Sequence, residues 1–543
     1  MRRFFYLIHL LVFLVLIALA AKWSWVGWLL LVPLATFGLG LLDLLQKEHS
    51  IRRNFPFFGR GRWLMEGLRP FARQYFVESD MDGRPINRMF RSIVYQRAKG
   101  AMDSNPYGTK VDVYRAGYEW IAHSMDAKNI KDINTSPTVT IGGSDCQQPY
   151  EAALLNISGM SFGALSDHAV KALNKAARLG GFYHNTGEGS ISDYHLEYGG
   201  DLVWQIGTGY FGCRDQNGQF SPDAFAEKAA YDSVRMIEIK LSQGAKPGHG
   251  GILPAGKNSE EIARIRLVEP HTDVISPSTH SAFSTPIEMM QFIQKLRELS
   301  KGKPVGIKLC IGRRSEFIAL CKAMRETHIH PDFITVDGGE GGTGAAPLEY
   351  SNSVGMPLHD SIAFVEDCLI GFDLRDKIKI IASGKILTGF HLVRALALGA
   401  DLCNSARGMM LALGCVHSLI CNTNRCPTGI TTQDRQLIAG LDVEDKAERV
   451  ARYQKETVHS AVDITSSSGL KSPNKLKRYH LYRRVDHACV ERLDALLPYP
   501  KPSSFLDAPL PDKYQQDILE ASPDSFMARH MDLDQPGGAP AST

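Results

Sequence analysis

Three cysteines crowd together late in the chain, in the pattern Cys415-x5-Cys421-x4-Cys426-Pro427. Grouped so closely, three thiolates suit an iron–sulfur cluster, or a zinc site with His417 as a fourth ligand. The ten cysteines of the 543-residue chain are otherwise spread thinly, unlike the dense framework of a small secreted domain, so a reducing compartment is expected. A second signal lies upstream, where the apolar run Phe333 to Val336 ends in Asp337 and passes into Gly338, Gly339, Gly341, Gly342 and Gly344. Without Cβ atoms, consecutive N–H groups can turn toward an anion, and a bulky ligand can approach the peptide plane.

Two further loops carry anion chemistry. Ser383, Gly384 and Lys385 follow one apolar run, with Thr388 and Gly389 placed to start a helix, and Ser405, Ala406, Arg407 and Gly408 follow another. Backbone amides plus a cation make a phosphate site. With the glycine loop, they favour a phosphorylated cofactor.

Eight apolar, β-prone runs deliver such loops: Leu154 to Ile157, Phe182 to His184, Met236 to Lys240, Val274 to Ser276, Val305 to Leu309, Phe333 to Val336, Ile378 to Ala382 and Asp401 to Asn404. Amphipathic stretches such as Ser166 to Leu179 and Pro286 to Leu299 lie between them. The alternation predicts an α/β fold, a parallel (β/α)8 barrel of the TIM type, with chemistry at the C-terminal ends of its strands. A doubly wound open sheet is the alternative.

At the N-terminus, Phe4 to Ala21 and Trp23 to Leu45 are apolar enough to cross a bilayer as a hairpin. Arg2 and Arg3 precede it, and Lys47, Arg52, Arg53, Arg60 and Arg62 follow. Positive charge at both ends predicts a multi-pass anchor in the cytoplasmic (inner) membrane with the remainder facing the cytoplasm; a cleavable signal peptide is the rival reading. Basic residues near Arg52 can sit against anionic headgroups. The net charge of +3, without a basic stripe interleaved with aromatics, argues against nucleic acid as a partner.

The motifs ISGMSFGALS (157 to 166), NTGEG (185 to 189), IEIKLSQGAKPG (237 to 248), ISP (275 to 277), DGGEGGTGAAP (337 to 347) and GCVHSLICNTNRCPTGITTQD (414 to 434) resemble, in order, the synthase domain of glutamate synthase. The resemblance covers about residues 150 to 434. It implies a barrel holding flavin mononucleotide (FMN), a three-iron, four-sulfur cluster on Cys415, Cys421 and Cys426, and reductive amination of 2-oxoglutarate by ammonia. On that reading Gly159, Met160 and Ser161 lie along the flavin ring, Lys308 pairs with its charge, and Asp337, Gly338, Gly339, Gly341, Gly342, Ser383, Gly384, Lys385, Ala406 and Arg407 complete the cofactor site. Lys240 and Arg266 bind the dicarboxylate, and Glu188, Lys246 and Gln243 are the catalytic candidates.

Departures from the family pattern fall around the substrate. The family's GEGG is GHGG here, with His249; its ISPPPHHD is ISPSTHSA; its arginine before Phe211 is Tyr210; and its DGGLKTG is SGKILTG. No amidotransferase domain with an N-terminal cysteine is seen, nor the large glycine-rich C-terminal domain. Ammonia is therefore expected to arrive free or from a separate protein, unless another amine is the donor. An N-substituted glutamate is then an alternative product, and an electron-transfer module without amino-acid turnover an alternative role. An electron-donor protein is expected. The expected organisation is a hairpin (1–46), a helical collar (47–149), the barrel (150–434), C-terminal helices (435–506) and a disordered tail (507–543).

Overall fold

A computed structural model describes residues 2 to 529, in two units divided after Met89. Eight parallel strands close a barrel in the second unit: Leu155–Ile157, His184–Asn185, Leu202–Ile206, Val234–Lys240, Val305–Leu309, Phe333–Asp337, Lys379–Ser383 and Leu402–Ser405. Each pairs with the next in chain order, and the eighth closes on the first through Cys403–Leu155, Asn404–Asn156 and Ser405–Ile157.

The number of strands agrees with the sequence expectation, but one member differs. Val274–Ile275 is not a barrel strand; it forms an antiparallel pair with Ile252–Leu253, and Ile275 lies exposed. Leu202–Ile206, buried along its whole length, takes the third place. The SQGAKPGHGG loop therefore follows strand four.

Side chains alternate across a strand, so every second residue enters the barrel. Strand four reads upward as Met236, Glu238, Lys240, and strand six as Phe333, Thr335, Asp337. The lowest rung is apolar: Met236 and Phe333 pack with Val203, Ile381 and Leu402, and the Thr138–Ile141 and Tyr150–Ala153 hairpin inserts Ile141 and Ala152 as a plug. Above it, the buried Glu238 carboxyl accepts hydrogen bonds from Asn185 Nδ2 (2.8 Å), Gln205 Nε2 (2.5 Å) and Thr335 Oγ1 (2.6 Å). Burying that carboxyl is tolerable because both its oxygens are satisfied.

Outside the barrel, Val443–Ser467 packs along Asp167–Gly180, and Gln454 Nε2 reaches the Leu155 carbonyl (3.1 Å). Beyond this helix the expected C-terminal helices are largely replaced by the strands Leu481–Arg484 and Val490–Arg492, which pair with each other; the former also pairs with Glu119–Ile121. The expected collar is α-helical only to Lys99, with one 3-10 turn at Ile130–Asp132 beyond it. The tail from Asp507 needs correction as far as residue 529. Tyr514 and Ile518 are buried, and the Tyr514 hydroxyl donates to Asp367 Oδ2 (2.5 Å), while Asp367 Oδ1 holds the buried Arg478 (2.8 Å). Residues 530 to 543 lie outside the described residues.

In the first unit, Arg2–Ala20 and Ser24–Leu45 are each long and apolar enough to cross a membrane, the second opening as a 3-10 turn before its α-helical part, Leu31–Leu45. Their polar interruptions answer one another: His9 is hydrogen-bonded to Thr36 (3.0 Å), and Asp43 pairs with Arg60 (2.8 Å). A side chain at Gly40 would sit 2.2 Å from the Phe5 ring, so glycine is what lets the two helices close, with Phe5 stacked on Phe37.

Candidate active site

The upper rung of the barrel opens into a cavity at the strand C-termini. Its walls include Ser158 and Gly159 after strand one, Gln243 after strand four, Lys308 on strand five, Asp337 and Gly342 at strand six, Ser383 to Lys385 at strand seven and Ser405 to Arg407 at strand eight. These come from six strands, and only barrel closure brings them together. A larger cavity lies at the other end, around Glu366, Arg375 and Asp401, where Arg375 pairs with both carboxylates and with the Ile378 and Gly399 carbonyls. Both of its carboxylates are thereby engaged by Arg375.

The glycine loop after strand six does a different task from the one its composition suggests. The Gly338 amide donates to the Ser383 carbonyl (2.8 Å), Gly339 to Met356 (2.8 Å) and Gly341 to Gly338 (2.7 Å), so these amides are not free to hold an anion. They hold the loop tightly against its neighbours. A side chain at Gly244 would lie 1.9 Å from the Gly338 carbonyl oxygen, and Asp337 Oδ2 accepts the Gly244 amide (2.8 Å). Gly342 does reach the cavity, where a Cβ would meet the Arg407 guanidinium at 2.7 Å. Arg407 in turn donates to the Glu340 carbonyl (3.0 Å).

Lys308 lies in the cavity wall, 3.6 Å from Asp337. Burial opposes its charge, but Asp337, Glu238 and Glu188 outweigh burial and raise its pKa above the usual lysine value. It is a fixed cation. Gly159 sits over Asn185 and Gln205, which a Cβ would meet at 2.9 and 3.0 Å, so the polar rung forms the floor beneath it.

A second cluster centres on Glu188. Lys240 Nζ donates to its Oε1 (2.6 Å), and Gly207 and Gly251 leave room for it: a Cβ would stand 2.3 Å from Oε2 at Gly207 and 2.8 Å from Oε1 at Gly251. Burial raises the Glu188 pKa, but Lys240 first, then Arg266 and Lys246, outweigh it and hold the carboxyl below its usual value. The Lys246 ammonium makes no hydrogen bond or ion pair among the described residues; burial and the Lys240 charge lower its pKa. Arg266, buried behind the first loop, donates to the Phe162 carbonyl (3.0 Å) and contacts Ser161 Oγ (3.4 Å), wedged against Gly163 and Gly189. It braces the loop carrying Met160 and Ser161, a role different from the expected dicarboxylate clamp. Neither Met160 nor Ser161 is among the cavity walls; Gly187 presses against both.

Sequence reasoning missed the link between two of the departures. Tyr210 Oη accepts the Ala282 amide (3.1 Å) and is hydrogen-bonded to His280 Nδ1 (3.0 Å), whose other nitrogen meets the Lys240 carbonyl (2.9 Å). Burial lowers His280 to about 4, so the ring is neutral, and Nε2–H is the donor to that carbonyl. Tyr210 and the altered 278–282 segment thus compensate each other and fix the strand end that carries Lys240. Glu238, the hub of the polar rung, was also missed. His249 stands edge-on to Tyr350, ring centroids 5.5 Å apart.

The cysteine loop is tied down by Tyr95, whose hydroxyl donates to the Cys415 carbonyl (2.6 Å), and by Lys257, whose ammonium donates to the Cys421 and Thr431 carbonyls (both 3.0 Å). His417, Leu419 and Asn424 adopt positive φ as the loop doubles back. Burial pushes the Cys415 thiol up to about 11, whereas at Cys426 burial is outweighed by hydrogen bonds, Thr428 first, giving about 7. Among the described residues no three metal-ligating side chains converge on one point.

A family signature described as a conserved region in glutamate synthase spans residues 92 to 471. The chain belongs to the glutamate synthase family. It is 38% identical over 507 residues to the glutamate synthase large subunit-like protein YerD of Bacillus subtilis, covering 86% of this chain and 96% of that one. It is 32% identical over 361 residues to the archaeal glutamate synthase [NADPH] of Methanocaldococcus jannaschii, 66% of each chain. Among solved structures, a mandelate oxidase complex superimposes with a TM-score of 0.41 at 15% identity, over 66% of this chain and 85% of that one.

Proposed function

We propose that the chain is an FMN-dependent oxidoreductase that reductively aminates 2-oxoglutarate to glutamate or an N-substituted glutamate. The observation that carries this reading is the neighbourhood of two clusters at one barrel rim: a buried carboxylate ringed by cations, and a cavity walled by glycine, serine and fixed positive charge.

The residues fit the cofactor. Gly159, packed on Asn185 and Gln205, and Gly342, packed on Arg407, present bare backbone in the cavity wall, which a flat ring system can approach closely. Ser383 to Lys385 and Ser405 to Arg407 would hold the phosphate, and Lys308 would face charge on the ring. When bound, FMN would supply the reducing equivalents. Lys246, whose ammonium makes no ion pair among the described residues, is available to a substrate carboxylate, while Lys240 stays paired with Glu188. Glu188, kept ionised by its neighbours, can take a proton from an incoming ammonium or amine and return it as the carbonyl oxygen leaves as water. Gln243, in the cavity wall, offers an amide to orient the substrate.

Cys415, Cys421 and Cys426 would hold a three-iron, four-sulfur cluster, which would supply one-electron chemistry. The three thiols lie on one doubled-back loop without converging on a single point, so this reading rests on the donor set alone. The two apolar helices would anchor the chain in the cytoplasmic membrane, a reading supported by their pairing through Phe5, Phe37 and Gly40.

The test uses the purified full chain loaded with FMN. Reduced flavin should be reoxidised by 2-oxoglutarate with ammonia, methylamine or glutamine under anaerobic conditions. Failure with all three would leave electron transfer as the function. Cys421→Ser should remove iron and spare FMN; iron retained in full would refute the ligand assignment.

A further inference from the structure

The first unit carries a surface that the barrel chemistry does not use. Arg60–Ala72 is a helix whose charged residues Arg62, Glu66 and Arg69 fall on one stripe, extended by Arg73, while Leu64, Leu68 and Phe71 fall on the opposite one. The apolar stripe is open. Leu64 and Phe71 are about 60% exposed, and Tyr75, Phe76 and Val77 prolong the exposed patch. Nothing stands within 4 Å of where a side chain at Gly61 or Gly67 would be. Such a stripe left in water costs free energy that burial in an apolar layer recovers.

We propose that Arg60–Ala72 lies flat in the headgroup layer of an anionic membrane, apolar stripe down. Three observations select lipid as the occupant. The segment from Ser50 to Val77 holds six arginines and one glutamate, complementary to anionic phosphates. The charged and apolar stripes divide the helix lengthwise, the pattern of an in-plane rather than a spanning helix. Continuity fixes the level: the Arg60–Asp43 pair (2.8 Å) pins the first residue of this helix to the last turn of the second apolar helix, and Trp63 packs on Arg52 and His49 at the same height. The inference rests on the anchoring proposed above, and it adds a preference for anionic lipid that two apolar helices alone would not have.

The full chain is reconstituted into phosphatidylcholine vesicles with and without phosphatidylglycerol, floated on a density gradient, and followed by hydrogen–deuterium exchange of residues 60 to 77. The chain should float with both vesicle types, with exchange across this segment roughly tenfold slower in the anionic ones. Replacing three arginines (Arg62→Gln, Arg69→Gln, Arg73→Gln) should abolish that difference while flotation persists. If the chain floats but exchange is the same in both lipids, the inference fails and the anchor stands. A chain that does not float overturns both. Protection that follows protein density rather than phosphatidylglycerol content overturns the inference in favour of a second copy of the chain.

Discussion

Replacing Glu188 by glutamine separates binding from chemistry in the proposed active site. The wild-type carboxylate neutralises one of three surrounding cations through a 2.6 Å contact with Lys240, with only 18% of its side chain exposed. Glutamine keeps the shape and a hydrogen-bond acceptor but removes the charge, so the pocket becomes more positive by one unit. At about 6 Å and an effective dielectric near 20, one charge on another is worth about 2–3 kcal/mol. Partial solvent access reduces this to about 1 kcal/mol, or roughly fivefold. The KM for 2-oxoglutarate should therefore fall about fivefold while kcat falls about 100-fold, the usual loss when a general acid–base group is removed. The assay is steady-state turnover with a chemical reductant and ammonia, over a range of keto-acid concentrations, with FMN occupancy checked by absorbance. A raised KM with kcat unchanged would refute the assignment, because it would make Glu188 a binding contact and not the proton carrier.

Other expectations follow from the same geometry. Lys246 has a lowered pKa through burial and the Lys240 charge, so its ammonium is lost at a lower pH than that of an ordinary lysine. The KM for 2-oxoglutarate should accordingly rise on the alkaline side, and Lys246→Arg should move that rise to higher pH; an identical pH profile in the two proteins would exclude Lys246 from the substrate site. Gly207→Ala places a Cβ 2.3 Å from Glu188 Oε2 and must displace it from Lys240, so turnover should fall about 100-fold with FMN content unchanged. Normal turnover would show that the carboxylate position is not critical. Asp367→Ala leaves the fully buried Arg478 without its counter-ion and releases Tyr514, which should cost about 3–5 kcal/mol in urea unfolding. An unchanged midpoint would show that the 507–529 segment contributes nothing to the barrel unit.

What could be read in advance divides by the range of the interaction. The barrel was legible because apolar runs and polar loops alternate locally, and the cavity walls at Ser383–Lys385 and Ser405–Arg407 follow from strand ends alone. Leu202–Ile206 escaped because Gln205 interrupts its apolar run and points into the polar belt, while Val274–Ile275, flanked by Asp273 and Pro277, imitated a strand on the rim. Tyr210 and His280 stand 70 residues apart, and no spacing rule connects them. The tail was misjudged because its proline- and aspartate-rich composition conceals two apolar anchors, Tyr514 and Ile518, which are enough to order it. The glycine loop was located correctly, yet its amides serve close backbone packing, which composition cannot tell from anion binding.

The graded interior of the barrel has a practical consequence for engineering. Along strands four and six, a step of two residues passes from hydrocarbon to a hydrogen-bonded belt to charge: Met236, Glu238, Lys240 and Phe333, Thr335, Asp337. Tolerance to substitution should be graded in the same way. Volume-conserving exchanges around Met236 and Phe333 act on stability alone, whereas the belt at Glu238 transmits any change upward to the floor beneath Gly159. A library aimed at a different keto acid should therefore vary only the top rung and its loops, leaving the belt as a fixed chassis.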